Sequence, residues 1–220
     1  MALAIFDLDN TLIGGDSDHL WGEFMIAKGI VDAASFKSAN DRFYQQYQDG
    51  SLDIYRYLEF ALAPLSRLPL DTLESLHREF MSDYIDPIIL PKAADLVHRH
   101  RSKGDTLLVI TATNRFVVEP IVNRYGIDNL LASEPERNHS GYTGSVIGIP
   151  CFQNGKVARL EQWLAQSNNA HLKQEDMYFY SDSANDMPLL ERATHPVAVD
   201  PDTRLNEAAK ARGWPVISLR

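Results

Sequence analysis

Only one cysteine, Cys151, occurs in this chain of 220 residues. A lone thiol closes no internal disulfide, so the fold has to be held by its core. Long apolar runs are also missing. None approaches the roughly 18 residues that a membrane-spanning helix requires, so no membrane association is expected. Positive charge is scarce as well: Lys and Arg total 21 against 30 Asp and Glu, a net charge of −9. That deficit excludes the broad basic surface on which nucleic-acid binding depends. It does not exclude a phosphate ligand, because a divalent cation and a few local donors reverse the sign of the field inside one pocket. No basic stretch precedes the first apolar segment, so no secretory leader is expected and the cytoplasm is the expected location. Repeats and low-complexity tracts are absent. Hydrophobic residues reach 45%, enough to build a packed core.

Within that frame the chain alternates. Leu3 to Phe6 reads as a short buried strand. From about Ser17 to Tyr84 the apolar spacing is helical, with Leu20, Trp21, Phe24 and Met25 on one face, Leu58 to Leu65 in a second segment and Leu73 to Met81 in a third. Beyond Pro91 a helix carries Ala93, Leu96 and Val97 inward and His98 and His100 outward. Thr106 to Thr111 is a nearly continuous apolar run, as in a strand buried on both faces of a parallel sheet. Further strands are expected at Leu130 to Ser133, Met177 to Ser181, Pro196 to Val199 and Pro215 to Leu219, a small hairpin over Tyr142 to Gly148, and helices up to Tyr125 and over Lys156 to Gln166. This order predicts an α/β fold, a Rossmann-like doubly wound parallel sheet. The helical stretch is too long for a simple crossover. It is expected to be an inserted helical cap at 15–86, with the core made of 1–14 and 87–220.

Four short elements carry the chemistry. Asp7-Leu-Asp9-Asn-Thr11 follows the first strand, and on extended backbone positions i and i+2 face the same way. Two carboxylates therefore project together from the carboxyl end of a strand, where open α/β sheets bind ligands. Their mutual repulsion calls for a cation, and oxygen ligands suit Mg2+. Thr111 ends the next buried strand, where a hydroxyl and the N–H groups of the following turn, at Asn114, meet a phosphate. Lys156, in Asn154-Gly-Lys, opens a helix at the end that favours anions, so an anion is expected close by. Asp182, Asn185 and Asp186 form a second acidic cluster at the end of the Met177 strand.

Taken together and in this order, the four elements resemble the four motifs of the haloacid dehalogenase superfamily, over nearly the whole chain. The insertion after the first motif, and Tyr142-Thr-Gly-Ser-Val-Ile-Gly followed by Pro150-Cys151 and Lys156, are similar to the subgroup that contains phosphoserine phosphatase. The resemblance implies a magnesium-dependent phosphomonoesterase. Asp7 would be the nucleophile and pass through an aspartyl-phosphate, and Asp9 would be the general acid and base. Mg2+ would lie on Asp7, Asp182 and the carbonyl of Asp9, with Asp186 supporting it and Asn185 orienting its neighbours. Thr111 and Lys156 would neutralise the phosphoryl oxygens.

The same resemblance guides the substrate expectation. Asp16 occupies the place of the subgroup's amine-binding glutamate, and Asp18 lies beside it. The place of the carboxylate-binding arginine falls on Ala61, with Arg56 nearby but earlier. An amine site without that arginine implies a small amino-alcohol phosphate, and histidinol phosphate fits. Trp21, Phe24, Phe43 and Tyr44 are the aromatics available to stack on an imidazole. Two other readings stay open at this point: a phosphoreceiver domain, and a phosphotransferase that hands the phosphoryl group to an alcohol. The oligomeric state is not legible.

Overall fold

The computed structural model describes all 220 residues. Seven strands form one sheet: β1 (Ala2–Phe6), β2 (Thr106–Asn114), β3 (Asn129–Asn138), β4 (Gly141–Ile147), β5 (Asp176–Ser181), β6 (His195–Val199) and β7 (Val216–Ile217). Their order is β4-β3-β2-β1-β5-β6-β7. Every pairing is parallel except β3 with β4. The order runs one way through β2 and β3 and the other through β5 and β6, so the chain reverses direction at β1 and opens a crevice at its carboxyl end. All five residues of β1 are buried, as the continuous apolar run predicts for a strand covered on both faces.

Alternation along the strands divides the core. Ala4 and Phe6 of β1 join a cluster of 31 residues, whereas Leu3 and Ile5 join one of 16 on the opposite face. The first face is covered by α5 (Pro91–Ser102) and α6 (Arg115–Arg124). The second is covered by α7 (Asn154–Leu164), α8 (Met187–Leu190) and α9 (Thr203–Arg212).

Four helices lie between β1 and α5: α1 (Ser17–Ala27), α2 (Ala33–Asp49), α3 (Ile54–Leu62) and α4 (Leu70–Phe80). Carboxylates cap three of them: Asp16, Asp32 and Asp53 each accept backbone N–H groups of the first turn. α2 ends at Gly50 in the left-handed conformation, φ 75°. The chain leaves and rejoins the sheet layer side by side, for Gly14 N–H donates to the Ile88 carbonyl (2.8 Å) and Ile13 bridges Ile89. The Gly14-Gly15 pair has ordinary backbone angles there. What favours glycine is space, since a Cβ at Gly15 would stand 3.2 Å from Ile88 and one at Gly14 would stand 3.3 Å from Leu90. Trp21, Phe24, Leu58 and Phe80 of these helices share one apolar cluster with Val117 and Val118 of α6.

Two expectations need correction. Tyr142 to Gly148 is not a hairpin by itself. It is the return strand of a hairpin whose other arm is β3, lengthened to Asn138. His100 does not face solvent: it is buried, bonding Asp105 through Nδ1 (2.8 Å) and the Tyr180 hydroxyl through Nε2 (2.8 Å). A helix repeat alone assigned it outward, but these two polar partners let it lie inward. In agreement with the helical reading of this stretch, α2 is a full helix, although only Asn40 on it is fully buried. No helix is long and apolar enough to cross a membrane.

Candidate active site

Asp7 continues the β1 ladder by one residue, its N–H donating to the Tyr180 carbonyl (2.9 Å). This places its side chain at the mouth of the crevice, almost fully buried. Its Oδ1 accepts from Lys156 Nζ (2.8 Å), and the same ammonium donates to Asp186 Oδ2 (2.7 Å). Ser181 Oγ adds a third donor to this set through Asp186 (2.7 Å). Lys156 is itself buried. Burial works to lower its pKa, but Asp186 and Asp7 outweigh this and hold it above the ordinary lysine value. An ammonium has three donors, and two are committed, so the third remains for an anion seated at Asp7.

Lys156 reaches this position because the loop before α7 is tightly folded. Gln153 has φ 48°, and a Cβ at Gly155 would stand 2.1 Å from the Pro150 carbonyl oxygen. No flexible tip is available to yield there, only backbone. Gly155→Ala is therefore expected to cost about 1–3 kcal/mol of stability and to displace Lys156, so kcat should fall together with Tm. Unchanged melting and turnover would show that the loop relaxes freely.

Asp9 lines the same cavity as Asp7 but takes a different set of donors. Its Oδ1 accepts from Ser17 N–H (2.6 Å), and its Oδ2 accepts from the hydroxyls of Thr113 (2.9 Å) and Thr111 (3.4 Å). Burial raises its pKa, against the lowering effect of the Ser17 and Thr113 donors. Thr113 did not stand out in the sequence, although Thr111-Ala-Thr113 has the same i, i+2 spacing as the two aspartates and so faces the same way. Thr11, last residue of the first motif, fastens the second acidic cluster: its hydroxyl donates to Asp182 Oδ1 (3.2 Å) and accepts from Asp182 N–H (3.1 Å).

The donor set suits a hard divalent cation. Asp7 and Asp186 share a single ammonium, the charge of Asp182 presses on both, and Asp9 lies near Asp7. Burial, the largest cause, pushes Asp7 up to about 7, and the charge of Asp186 adds to it. Asp182 is raised well above the carboxylate range by burial and by the charges of Asp7 and Asp186. Oxygen ligands so crowded and so short of positive charge are what Mg2+ relieves.

Over the crevice α1, α2 and α3 close a cavity of about 40 Å3. Asp7, Asp9 and Thr111 to Thr113 form its floor. Asp16, Asp18, His19, Asn40, Phe43, Tyr44, Tyr47 and Tyr57 are among the residues above. No lysine or arginine lines it. Asp16 is the N-cap of α1: its Oδ1 accepts from Asp18 N–H (3.0 Å) and His19 N–H (2.8 Å). Asn114 caps α6, with its Oδ1 accepting from Val117 N–H (3.2 Å), and its Nδ2 donates to Asp18 Oδ1 (3.3 Å). Asn114 does not line the cavity and acts on it through Asp18. Asn185 donates to the Tyr47 carbonyl (2.8 Å), and Arg204 donates to the carbonyls of Gln48 (3.0 Å) and Asp49 (3.2 Å), so the core grips the last turn of α2. Of the aromatics named from sequence, Phe43 and Tyr44 line the cavity. Trp21 and Phe24 stack on each other in the buried cluster instead. Arg56 is exposed and pairs with Asp53.

The family model described as haloacid dehalogenase-like hydrolase matches residues 4–191. A histidinol-phosphatase of Neisseria meningitidis serogroup C is 48% identical over 219 residues, which covers 99% of both chains. A crystal structure of a protein of unknown function from Bordetella pertussis superposes with a TM-score of 0.90 at 41% identity, covering 100% of this chain and 99% of that one. A substrate-bound phosphoserine phosphatase superposes with a TM-score of 0.72 at 19% identity, covering 100% and 93%, and shares the fold.

Proposed function

Because this chain belongs to the haloacid dehalogenase-like hydrolase family and is a phosphatase of that type, we propose that it hydrolyses a small amine-bearing phosphomonoester, L-histidinol phosphate, through an aspartyl-phosphate on Asp7. The observation that carries the substrate class is the cavity lining. Above the phosphate floor stand two carboxylates, Asp16 and Asp18, and a set of aromatic rings, with no lysine or arginine. Phosphoserine carries a carboxylate that would meet Asp16 and Asp18 without a counter-charge, at a cost that a buried unpaired anion makes large. Histidinol phosphate has an amine and an imidazole and no carboxylate. The Neisseria histidinol-phosphatase, similar over its full length, supports the same reading.

The residues present allow the following steps. Asp7 attacks phosphorus in line as the carboxylate that Lys156 favours against burial, needing no base. Lys156 balances the charge of Asp7 and Asp186 and holds its third N–H for a phosphoryl oxygen, and Thr111 offers a hydroxyl to another. Asp9, held by Ser17 and Thr113 with its pKa raised by burial, delivers a proton to the leaving alkoxide. It then removes one from the water that attacks the aspartyl-phosphate, which frees Asp7 and releases inorganic phosphate. Asp7, Asp182 and the Asp9 carbonyl would hold Mg2+, with Asp186 supporting them; when bound it neutralises phosphoryl charge as a Lewis acid. Segment 15–86 works as a cap. A cavity of about 40 Å3 holds a few waters, so an ester enters only when that segment lifts from its contacts with Asn185 and Arg204.

Phosphate release from a panel of esters with Mg2+ tests this directly. Histidinol phosphate should exceed phosphoserine in kcat/KM by more than about 100-fold, the discrimination expected where one partner leaves a buried charge unpaired. Equal turnover of the two would discard the reading of the cavity, and transfer of phosphate to added alcohols in place of release would favour a phosphotransferase.

A further inference from the structure

Three buried polar side-chain atoms have no hydrogen-bond partner: Ser17 Oγ, Asp18 Oδ2 and Trp21 Nε1. All three are on α1, and of their residues only Asp18 lines the cavity. Asp18 is 7% exposed. Native structures rarely leave a buried carboxylate oxygen unbonded, because the desolvation is not repaid. The other oxygen is not free to turn away. Oδ1 is held by Asn114 Nδ2, and Asn114 is itself held by capping α6. Asp18, a lining residue of the cavity, thus carries its unbonded Oδ2 on a fixed mount.

Asp16 and Asp18 are not equivalent. Asp16 spends Oδ1 on two N–H groups of α1 and lies closer to solvent. Asp18 is deeper. The Tyr57 hydroxyl is turned to this carboxylate as a donor and favours its anion, while Oδ2 has no partner within hydrogen-bond distance. Burial, the largest cause, pushes the Asp18 carboxyl up to about 7, and an arriving cation or N–H donor would favour its anion. Flat surfaces flank it. His19 lies against Tyr44 with ring centroids 4.7 Å apart, and Tyr57 packs edge-on to Phe43 at 5.4 Å. All four rings line the cavity.

We propose that Asp18 Oδ2 is the docking point for a second nitrogen group of the substrate, the ring N–H of a heteroaromatic such as imidazole, while Asp16 takes the aliphatic amine. This inference rests on the amine-bearing substrate class proposed above and divides its recognition between two residues. A ring lying between Tyr44 and Tyr57 places one N–H at Asp18 and leaves the amine on the solvent side, toward Asp16. The substrate is then read by two nitrogen groups of fixed geometry, and a plain amino-alcohol phosphate satisfies only half of the site.

The test uses the full-length protein with Mg2+ and four esters: histidinol phosphate, an imidazolylalkyl phosphate without the amine, phosphoethanolamine without the ring, and 4-nitrophenyl phosphate with neither. For Asp18→Asn, the ratio of kcat/KM for each ring-bearing ester to that for 4-nitrophenyl phosphate should fall by roughly 10–100-fold, the worth of one charge-assisted hydrogen bond in a dry site. The ratio for phosphoethanolamine should not follow it. Asp16→Asn should instead lower the ratio for histidinol phosphate and phosphoethanolamine and spare the imidazolylalkyl ester. Equal losses on all four esters, or a loss at Asp18→Asn that tracks the amine, would overturn the assignment. Should Asp18→Asn fail to fold, the wild-type protein decides by itself: no preference for the imidazolylalkyl ester over an alkyl phosphate of the same length overturns it too. The substrate class fails separately, if the wild-type protein turns over neither amine-bearing ester better than 4-nitrophenyl phosphate.

Discussion

Asp7→Asn is expected to lower kcat by more than about a thousandfold while leaving the fold in place. The change is nearly isosteric. The amide oxygen can still accept from Lys156 Nζ, which Asp186 also anchors, so the buried ammonium keeps one anionic partner and does not expel itself from the core. What disappears is the nucleophile. A neutral amide oxygen does not displace an alkoxide from phosphorus, and it is a poorer ligand for a hard cation. Melting should therefore change little, because the lost carboxylate was itself costly to bury, its pKa held up to about 7 chiefly by desolvation. Turnover within tenfold of wild type, at matched Mg2+, would end the covalent mechanism. Loss of activity with a collapsed melting curve would instead mark Asp7 as structural.

The second large effect is at Asp9. Asp9→Asn should slow hydrolysis by roughly 10²–10⁴-fold, the range of general acid–base catalysis. The local geometry tolerates the amide. Its oxygen can take the Ser17 N–H, and its NH2 can donate to the Thr113 hydroxyl, which reverses from donor to acceptor. The backbone carbonyl stays where it is. Only the proton shuttle is removed, so the loss must depend on the leaving group. An alkyl alcohol needs its proton in the transition state, whereas nitrophenolate departs without one. Comparing alkyl and nitrophenyl esters separates the two roles: a deep loss on the alkyl ester with a shallower one on the nitrophenyl ester is expected. Equal losses on both would remove Asp9 as the acid and leave it as a positioning group for Ser17 and the start of α1.

How far these residues could be read in advance depends on how local each pattern is. The pair Asp7 and Asp9 follows from a period of two on extended backbone, and the buried runs at β1 and β2 follow from continuous apolar sequence. Thr113 obeyed the same rule and was overlooked because threonine at a strand end is common. By contrast, no local rule joins Lys156 to Asp7, 149 residues away, or turns its ammonium toward Asp186. Nor does any rule make α2 a wall of the cavity. Its sequence is polar, with one fully buried residue, and it is held by Asn185 and Arg204 from the far end of the chain. His100 illustrates the same limit, since its inward position depends on Asp105 and Tyr180 being there to receive both nitrogens.

The sequence by itself determined the α/β class, the order of strands and helices, and the carboxylates and hydroxyls that gather at the strand ends, because side-chain period and apolar continuity are properties of neighbouring residues. Only the tertiary structure decided which oxygens remain free. Asp16 and Asp18 look interchangeable two positions apart, yet one spends an oxygen capping α1 and the other keeps a buried oxygen with no partner. That difference arises from Asn114, 96 residues away, which holds Oδ1 of Asp18 and leaves its second oxygen without a partner. Satisfaction of a buried polar atom is a count over everything packed around it, and that count does not exist until the chain has folded.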